Sequence, residues 1–213
     1  MGIRVSMLAA ALVVFGSTLT YAQEVTTGVK AGIDFSSLPN AGEVLDQVVR
    51  QTSTETSSKT GFLFGGFATV PFWNRLALQP ELQFVVKGVK LNEAGSGGTV
   101  TTSIRYLEFP VLLRYEAPVS DHTVYAMFGP TFGVKAGTSA QLDGPSGTAD
   151  IDVDSAIRTF DAGLAFAGGV EVQRYFVELR YTQGLNDVAT DTFVHVDSVK
   201  NRVIAISAGI RFK

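Results

Sequence analysis

A two-residue rhythm governs the segment from Leu76 to Lys87. Leu76, Leu78, Leu82, Phe84 and Val86 fall on one set of alternate positions, and Gln79, Glu81, Gln83 and Lys87 on the other. Side chains of an extended chain point to opposite faces in turn, so this segment is a strand with one apolar and one charged surface. Seven more segments read the same way. The eight expected strands cover about 25–35, 61–71, 76–89, 102–115, 123–136, 160–172, 175–185 and 202–212.

The connections alternate in length. Long polar stretches, Ser36–Thr60, Lys90–Thr101, Gly137–Thr159 and Asn186–Asn201, follow the first, third, fifth and seventh strands. Short turns, Phe72–Arg75, Glu116–His122 and Gln173–Arg174, follow the second, fourth and sixth. Short turns at one end and long loops at the other are the pattern of transmembrane β-barrels, and an even strand number puts both termini at the turn end.

At 213 residues the chain holds one domain plus a processing segment. Residues 1–22 read as a secretory signal peptide. Arg4 is the only charge, an apolar run from Val5 to Phe15 follows, and Thr20-Tyr21-Ala22 supplies small residues before Gln23. The run is too short to cross a bilayer as a helix. Losing Arg4 with this segment leaves 16 basic against 20 acidic residues, a net charge of −4, which is no footprint for nucleic acid. The absence of cysteine excludes a disulfide scaffold and a thiol-ligated metal. Residues 23–213 carry no further apolar stretch of helix-spanning length, although 46% of the chain is hydrophobic, so membrane insertion must be by strands.

Alternation alone leaves the outward face undecided, because a soluble lipocalin-like barrel would turn its apolar face inward. The polar faces decide. One reads Asp161, Gly163, Ala165, Ala167, Gly169, Glu171, and its neighbour reads Met127, Gly129, Thr131, Gly133, Lys135. Glycine on a solvated strand face weakens the strand for no return. Inside a narrow eight-stranded barrel, small residues make room for long charged ones. The expected interior set is Lys30, Asp34, Glu81, Lys87, Glu108, Arg114, Glu171, Glu178, Arg180 and Arg211. Opposite charges shut away from water must pair, so this set is read as a plug, with a narrow polar conduit as its alternative.

Phe72, Trp73, Tyr115, Tyr125, Tyr175 and Phe212 lie beside the short turns or the C-terminus and are expected to form an aromatic girdle at that membrane boundary. Phe35, Phe62, Phe160 and Tyr181 supply the opposite ring. Pro80, Pro110 and Pro130 fall inside strands, where each removes a ladder hydrogen bond, and are expected at bulges or at the rim.

Several blocks carry a family likeness: Leu78-Gln79-Pro80-Glu81-Leu82, the run from Tyr106 to Tyr115, Phe128-Gly129-Pro130, Phe160-Asp161-Ala162-Gly163-Leu164, Gly168-Gly169-Val170-Glu171, and the ending from Ala208 to Lys213. In order and spacing they resemble the PorT-like outer-membrane β-barrel (porin) family over nearly all of residues 23–213, the long loops excepted. The resemblance implies the barrel fold, the outer membrane of a Gram-negative cell, and prolines that belong to the family pattern. It implies no catalytic residue, and a secretion-accessory role is one function found under that name.

Other constellations are weaker. Asp150, Asp152 and Asp154 alternate with Ile151 and Val153, but Ser155 stands where a calcium loop needs its glycine. They read as a strand extension, or as a loose cation contact at the surface. His122 sits in a short turn beside Asp121. His195 and Ser198 could suggest a lipid-modifying enzyme, but three residues apart on an extended segment they point to opposite faces. Val44, Leu45, Val48 and Val49 have the spacing of one or two helical turns with an apolar side, suited to packing over the barrel mouth, and Thr52–Lys59 reads as flexible loop.

The expected protein is an eight-stranded, antiparallel, up-and-down transmembrane barrel, exported through a cleaved signal peptide. Its partners are outer-membrane lipid and whatever the long loops meet outside the cell. No catalytic, cofactor-binding or metal residue is expected. The alternatives are a small porin-like channel, and a lipid-modifying enzyme or secretion-accessory barrel.

Overall fold

The computed structural model describes residues 24–37, 54–93, 99–144, 147–151, 159–187 and 200–212. Its strands are β1 (Thr26–Ser37), β2 (Thr54–Trp73), β3 (Leu76–Glu93), β4 (Thr99–Val119), β5 (His122–Gly144), β6 (Gly147–Ile151), β7 (Phe160–Val172), β8 (Tyr175–Asp187) and β9 (Lys200–Phe212). Eight of them close a ring. Each pairs antiparallel with its neighbours, β7 follows β5 directly, and β1 is bonded to both β2 and β9. β6 lies outside that ring, paired only with the end of β5. Among the described residues there is no helix. A closed ring leaves no backbone group unpaired at a sheet edge, which is the condition for strands in hydrocarbon.

Two-residue turns join β2 to β3, β4 to β5 and β7 to β8, with Trp73 facing Leu76, Val119 facing His122 and Val172 facing Tyr175. The first residue of each turn, Asn74, Ser120 and Gln173, has positive φ, at 40°, 52° and 58°. Right-twisted hairpins favour this backbone in their tight turns. The turn expected over Glu116–His122 therefore shrinks to Ser120-Asp121, and His122 is the exposed first residue of β5. Glu116, Ala117 and Pro118 remain in the ladder with Tyr125, Val124 and Thr123.

The loop end departs further from expectation. β2 to β5 run 20, 18, 21 and 23 residues, against 12 or 13 for β1, β7, β8 and β9. Much of Lys90–Thr101 and Gly137–Thr159 is therefore strand. So is Thr54–Lys59, read from sequence as flexible loop, and Thr54 to Ser58 pair with Glu93 to Val89. Beyond the membrane a strand needs ladder partners but no apolar outward face, so its pattern loses the alternation that marks the lower strands. Residues 1–23, the apolar spacing at Val44–Val49, Asp152, Asp154, His195 and Ser198 lie outside the described residues.

The prolines also correct an expectation. Register shifts occur at Ser58/Phe62, Pro71/Trp73, Arg105/Tyr106 and Gln183/Asp187, and none involves Pro80, Pro110 or Pro130. These three instead form one band across β3, β4 and β5, with Pro80 facing Val111 and Pro110 facing Thr131. The ladder lapses beside them and resumes in register. The chains approach closely beside this band: a β-carbon on Gly129 would stand 2.2 Å from the Val111 carbonyl oxygen.

Candidate functional site

Two surfaces carry what chemistry this fold has. On the outer surface, the alternate positions between the aromatic rings bear no charge on any of the eight ring strands. On β5 they run Val124, Ala126, Phe128, Pro130, Phe132, Val134, and on β3 they run Leu76, Leu78, Pro80, Leu82, Phe84, Val86. Cross-strand phenylalanines stiffen the belt, with Phe64 and Phe84 rings at 5.3 Å and Phe128 and Phe166 at 4.8 Å. Ten residues at roughly 3.3 Å each, tilted by about 40°, give a band about 25 Å tall, the thickness an outer-membrane barrel shows to lipid.

Phe72, Trp73, Tyr115, Tyr175 and Phe212 point outward at the turn end. Arg75 donates from Nη1 to the Tyr115 hydroxyl at 3.5 Å. Phe35, Phe62, Phe160 and Tyr181 point outward near the loop end. Tyr125 does not belong to this girdle. It occupies an inward position, 2% exposed, because alternation along β5 gives the outward place to Val124. Its ring receives the Arg114 guanidinium at 3.6 Å, a cation–π contact strengthened by exclusion of water.

The interior set gathers into three levels. In the middle one, Glu81 accepts from Lys30 at 2.9 Å and from both terminal nitrogens of Arg180 at 2.9 Å. Glu178 holds the same two cations, Lys30 at 3.2 Å and Arg180 at 2.8 Å. Gln79 donates to Glu81 at 2.7 Å, and Gln83 donates to it from the other side. Two cations thus face two carboxylates with the remaining oxygen sites filled by amides, the arrangement that offsets the desolvation of buried charge.

At the turn end, Arg114 and Arg211 share Glu116 at 2.6 and 3.3 Å and Glu171 at 3.2 and 3.0 Å. Arg114 also donates to Gln79 at 3.1 Å, tying this level to the middle one. At the loop end, Lys87 bridges Glu108 at 2.5 Å and Asp161 at 3.3 Å and stands 5.2 Å from the Tyr106 ring centre. Asp34 lies there too, and neither of its carboxylate oxygens has a hydrogen-bond partner among the described residues.

Sequence reasoning missed an apolar cluster on the charged face. Phe67, Leu112, Tyr125, Met127, Ala165 and Phe176 pack together, with Phe176 edge-on to Phe67 at 5.5 Å and to Tyr125 at 6.4 Å. Each of the three rings lies over a glycine directly opposite it in the ladder: Phe67 over Gly28, Phe176 over Gly209, Tyr125 over Gly169. A β-carbon at those glycines would stand 2.3 to 2.4 Å from the ring it faces, so only hydrogen fits. An inward aromatic at the level of a cross-strand glycine was the available signal. Pairing was needed to read it, because the partners are 39, 33 and 44 residues apart.

Among the described residues no group of three or more His, Cys, Asp or Glu side chains is placed to hold a metal ion. His122, the one described histidine, is exposed at a turn.

The model of the outer membrane protein beta-barrel domain matches residues 21–190. No curated protein gives a match. Among solved structures the chain is similar to Ail, the attachment invasion locus protein of Yersinia pestis, at 12% identity and a TM-score of 0.40 over 89% of this chain and 99% of that one. It is similar to Neisserial surface protein A at 12% identity and 0.43, over 89% and 100%. The translocator domain of the autotransporter NalP from Neisseria meningitidis aligns at 9% and 0.35, over 98% and 96%. An uncharged lipid-facing belt on a closed eight-stranded ring agrees with the family match over 21–190, and the chain belongs to the outer membrane protein beta-barrel domain family.

Proposed function

We propose that the protein is a non-conducting, non-catalytic surface barrel of a Gram-negative outer membrane. It is exported through a signal peptide cleaved near residue 22, and its loop end meets partners outside the cell. The observation that carries this reading is the interior. Three levels of paired charge and a layer of Phe67, Tyr125 and Phe176 stack along the axis of a barrel only wide enough for its own side chains. The long β2–β5 strands lift a sheet above the mouth on one side, a platform suited to contact with the exterior. The block likeness to PorT-like barrels belongs to the same proposal, as a kinship of architecture without a transferred secretion role.

Purified protein reconstituted in planar bilayers is expected to give no discrete current steps. Stable, reproducible single-channel steps would replace this reading with a small porin. For the absence of catalysis, H195A should leave any acyl-transfer or deacylation signal of the wild type unchanged. Its loss in that variant would install a lipid-modifying enzyme instead.

A further inference from the structure

Two of the short turns end in an arginine and one in an acid. Asn74-Arg75 joins β2 to β3, Gln173-Arg174 joins β7 to β8, and Ser120-Asp121 joins β4 to β5. Around Arg75 the chain forms a cleft of about 330 Å3 lined by Trp73, Asn74, Arg75, Leu76 and Tyr115. Leu76 sits between its walls, with Trp73 on β2 and Tyr115 on β4 as its ladder partners. The Glu116 amide donates to the Arg75 carbonyl oxygen at 2.9 Å, which ties the turn to β4. The guanidinium meets the Tyr115 hydroxyl at 3.5 Å and, among the described residues, no carboxylate. It carries five N–H donors, so most of the fork is left for a ligand. Trp73 is 70% exposed and Tyr115 46%, both within the turn-end girdle.

The cleft opens onto the lipid-facing belt. Above Leu76 on the outward face stands Leu78, flanked in the ladder by Val70 and Leu113, and both leucines are exposed. Ligand sites run about 300–1,000 Å3, so this small one takes a headgroup and leaves acyl chains on the belt. A cation with no acid beside it suits a phosphate held by two N–H groups of the fork, and offers the ammonium of a zwitterionic headgroup nothing to pair with. We propose that the Arg75 cleft binds the phosphate of an anionic glycerophospholipid in the turn-side leaflet, with its acyl chains over Leu78 and Leu113. This rests on the reading of the chain as an outer-membrane barrel. The other turns lack the combination. Ser120-Asp121 presents an acid beside Val119. Arg174 shares its hollow with Arg211, whose terminal nitrogens already meet Glu116 and Glu171 at 3.3 and 3.0 Å.

The test uses Trp73, the only tryptophan, which stands in the cleft wall. Protein folded into phosphatidylcholine vesicles receives equal amounts of phosphatidylglycerol or phosphatidylcholine brominated near the head of the acyl chain. Quenching of Trp73 emission then reports which lipid lies against the cleft. The wild type should favour phosphatidylglycerol about twofold to fivefold, the worth of one exposed ion pair at a membrane surface. R75Q should bring the ratio to one, and R174Q should keep it. Inorganic phosphate should displace no more lipid than NaCl at matched ionic strength; displacement by phosphate alone would make this a free-anion site and overturn the lipid assignment. Equal quenching by the two lipids in inserted wild type, or an equal loss in R75Q and R174Q, overturns the proposal and leaves the barrel reading intact. Failure of the wild type to insert into vesicles would sink both together.

Discussion

Replacing Glu81 by glutamine probes the interior where its interactions are densest. The Glu81 side chain is fully buried and holds Lys30, both terminal nitrogens of Arg180, Gln79 and Gln83. The amide keeps the volume and removes the charge, so two buried cations are left to share Glu178. Breaking a buried pair while its partner stays costs about 3–5 kcal/mol, because the orphaned charge keeps its desolvation penalty. E81Q should lose stability on that order. R180M made on top of E81Q removes the orphan with a side chain of similar length, and Lys30–Glu178 then balances alone. The double variant should return to within about 1 kcal/mol of wild type, a coupling energy of at least about 2 kcal/mol. Urea-dependent folding into lipid vesicles gives both numbers, read through Trp73, the only tryptophan, 70% exposed beside a turn. An interior open to water would screen these charges as a surface does, and E81Q would cost less than about 1 kcal/mol. That result, or a double variant less stable than E81Q, would refute the reasoning.

L82R places a charge at the middle of the outer belt and should destabilise the folded barrel in vesicles by about 2–4 kcal/mol; a change near zero would mean that Leu82 does not face lipid. G209A puts a methyl 2.3 Å from the Val29 carbonyl oxygen and 2.4 Å from Phe176, so it should cost about 1–3 kcal/mol. F176A in the same chain should relieve only part of that cost, because one of the clashes is with backbone; full rescue in the urea midpoint would contradict the packing described. S120G relaxes a positive φ of 52° and should raise stability by about 0.5–1 kcal/mol, whereas a loss would show that the serine side chain is needed in its turn.

Much of this architecture was legible in the chain. Each expected strand overlaps an observed one, because the apolar positions of β3, β5 and β9 repeat at two, the period of a pleated strand. The charged positions Lys30, Glu81, Lys87, Glu108, Arg114, Glu171, Glu178 and Arg180 are all buried inside. Tyr125 lies inside despite its place beside a turn because its parity along β5 is that of the inward Met127 and Gly129. The loop-end extensions of β2 to β5 were hidden because their sequences lack the apolar–polar alternation that marks the lower strands.

Sequence by itself determined the period of the strands, the sidedness of each, and the turns short enough to force antiparallel neighbours. Those are local quantities, decided by residues within a few positions of one another. Which carboxylate meets which cation was decided only by the closed ring, whose stagger brings Lys30 against Glu178, 148 residues away, and Arg180 against Glu81, 99 away. The same stagger seats Phe176 over Gly209 and leaves the Asp34 carboxylate without a hydrogen-bond donor among the described residues. Register is a property of pairs of strands, so no single segment can contain it.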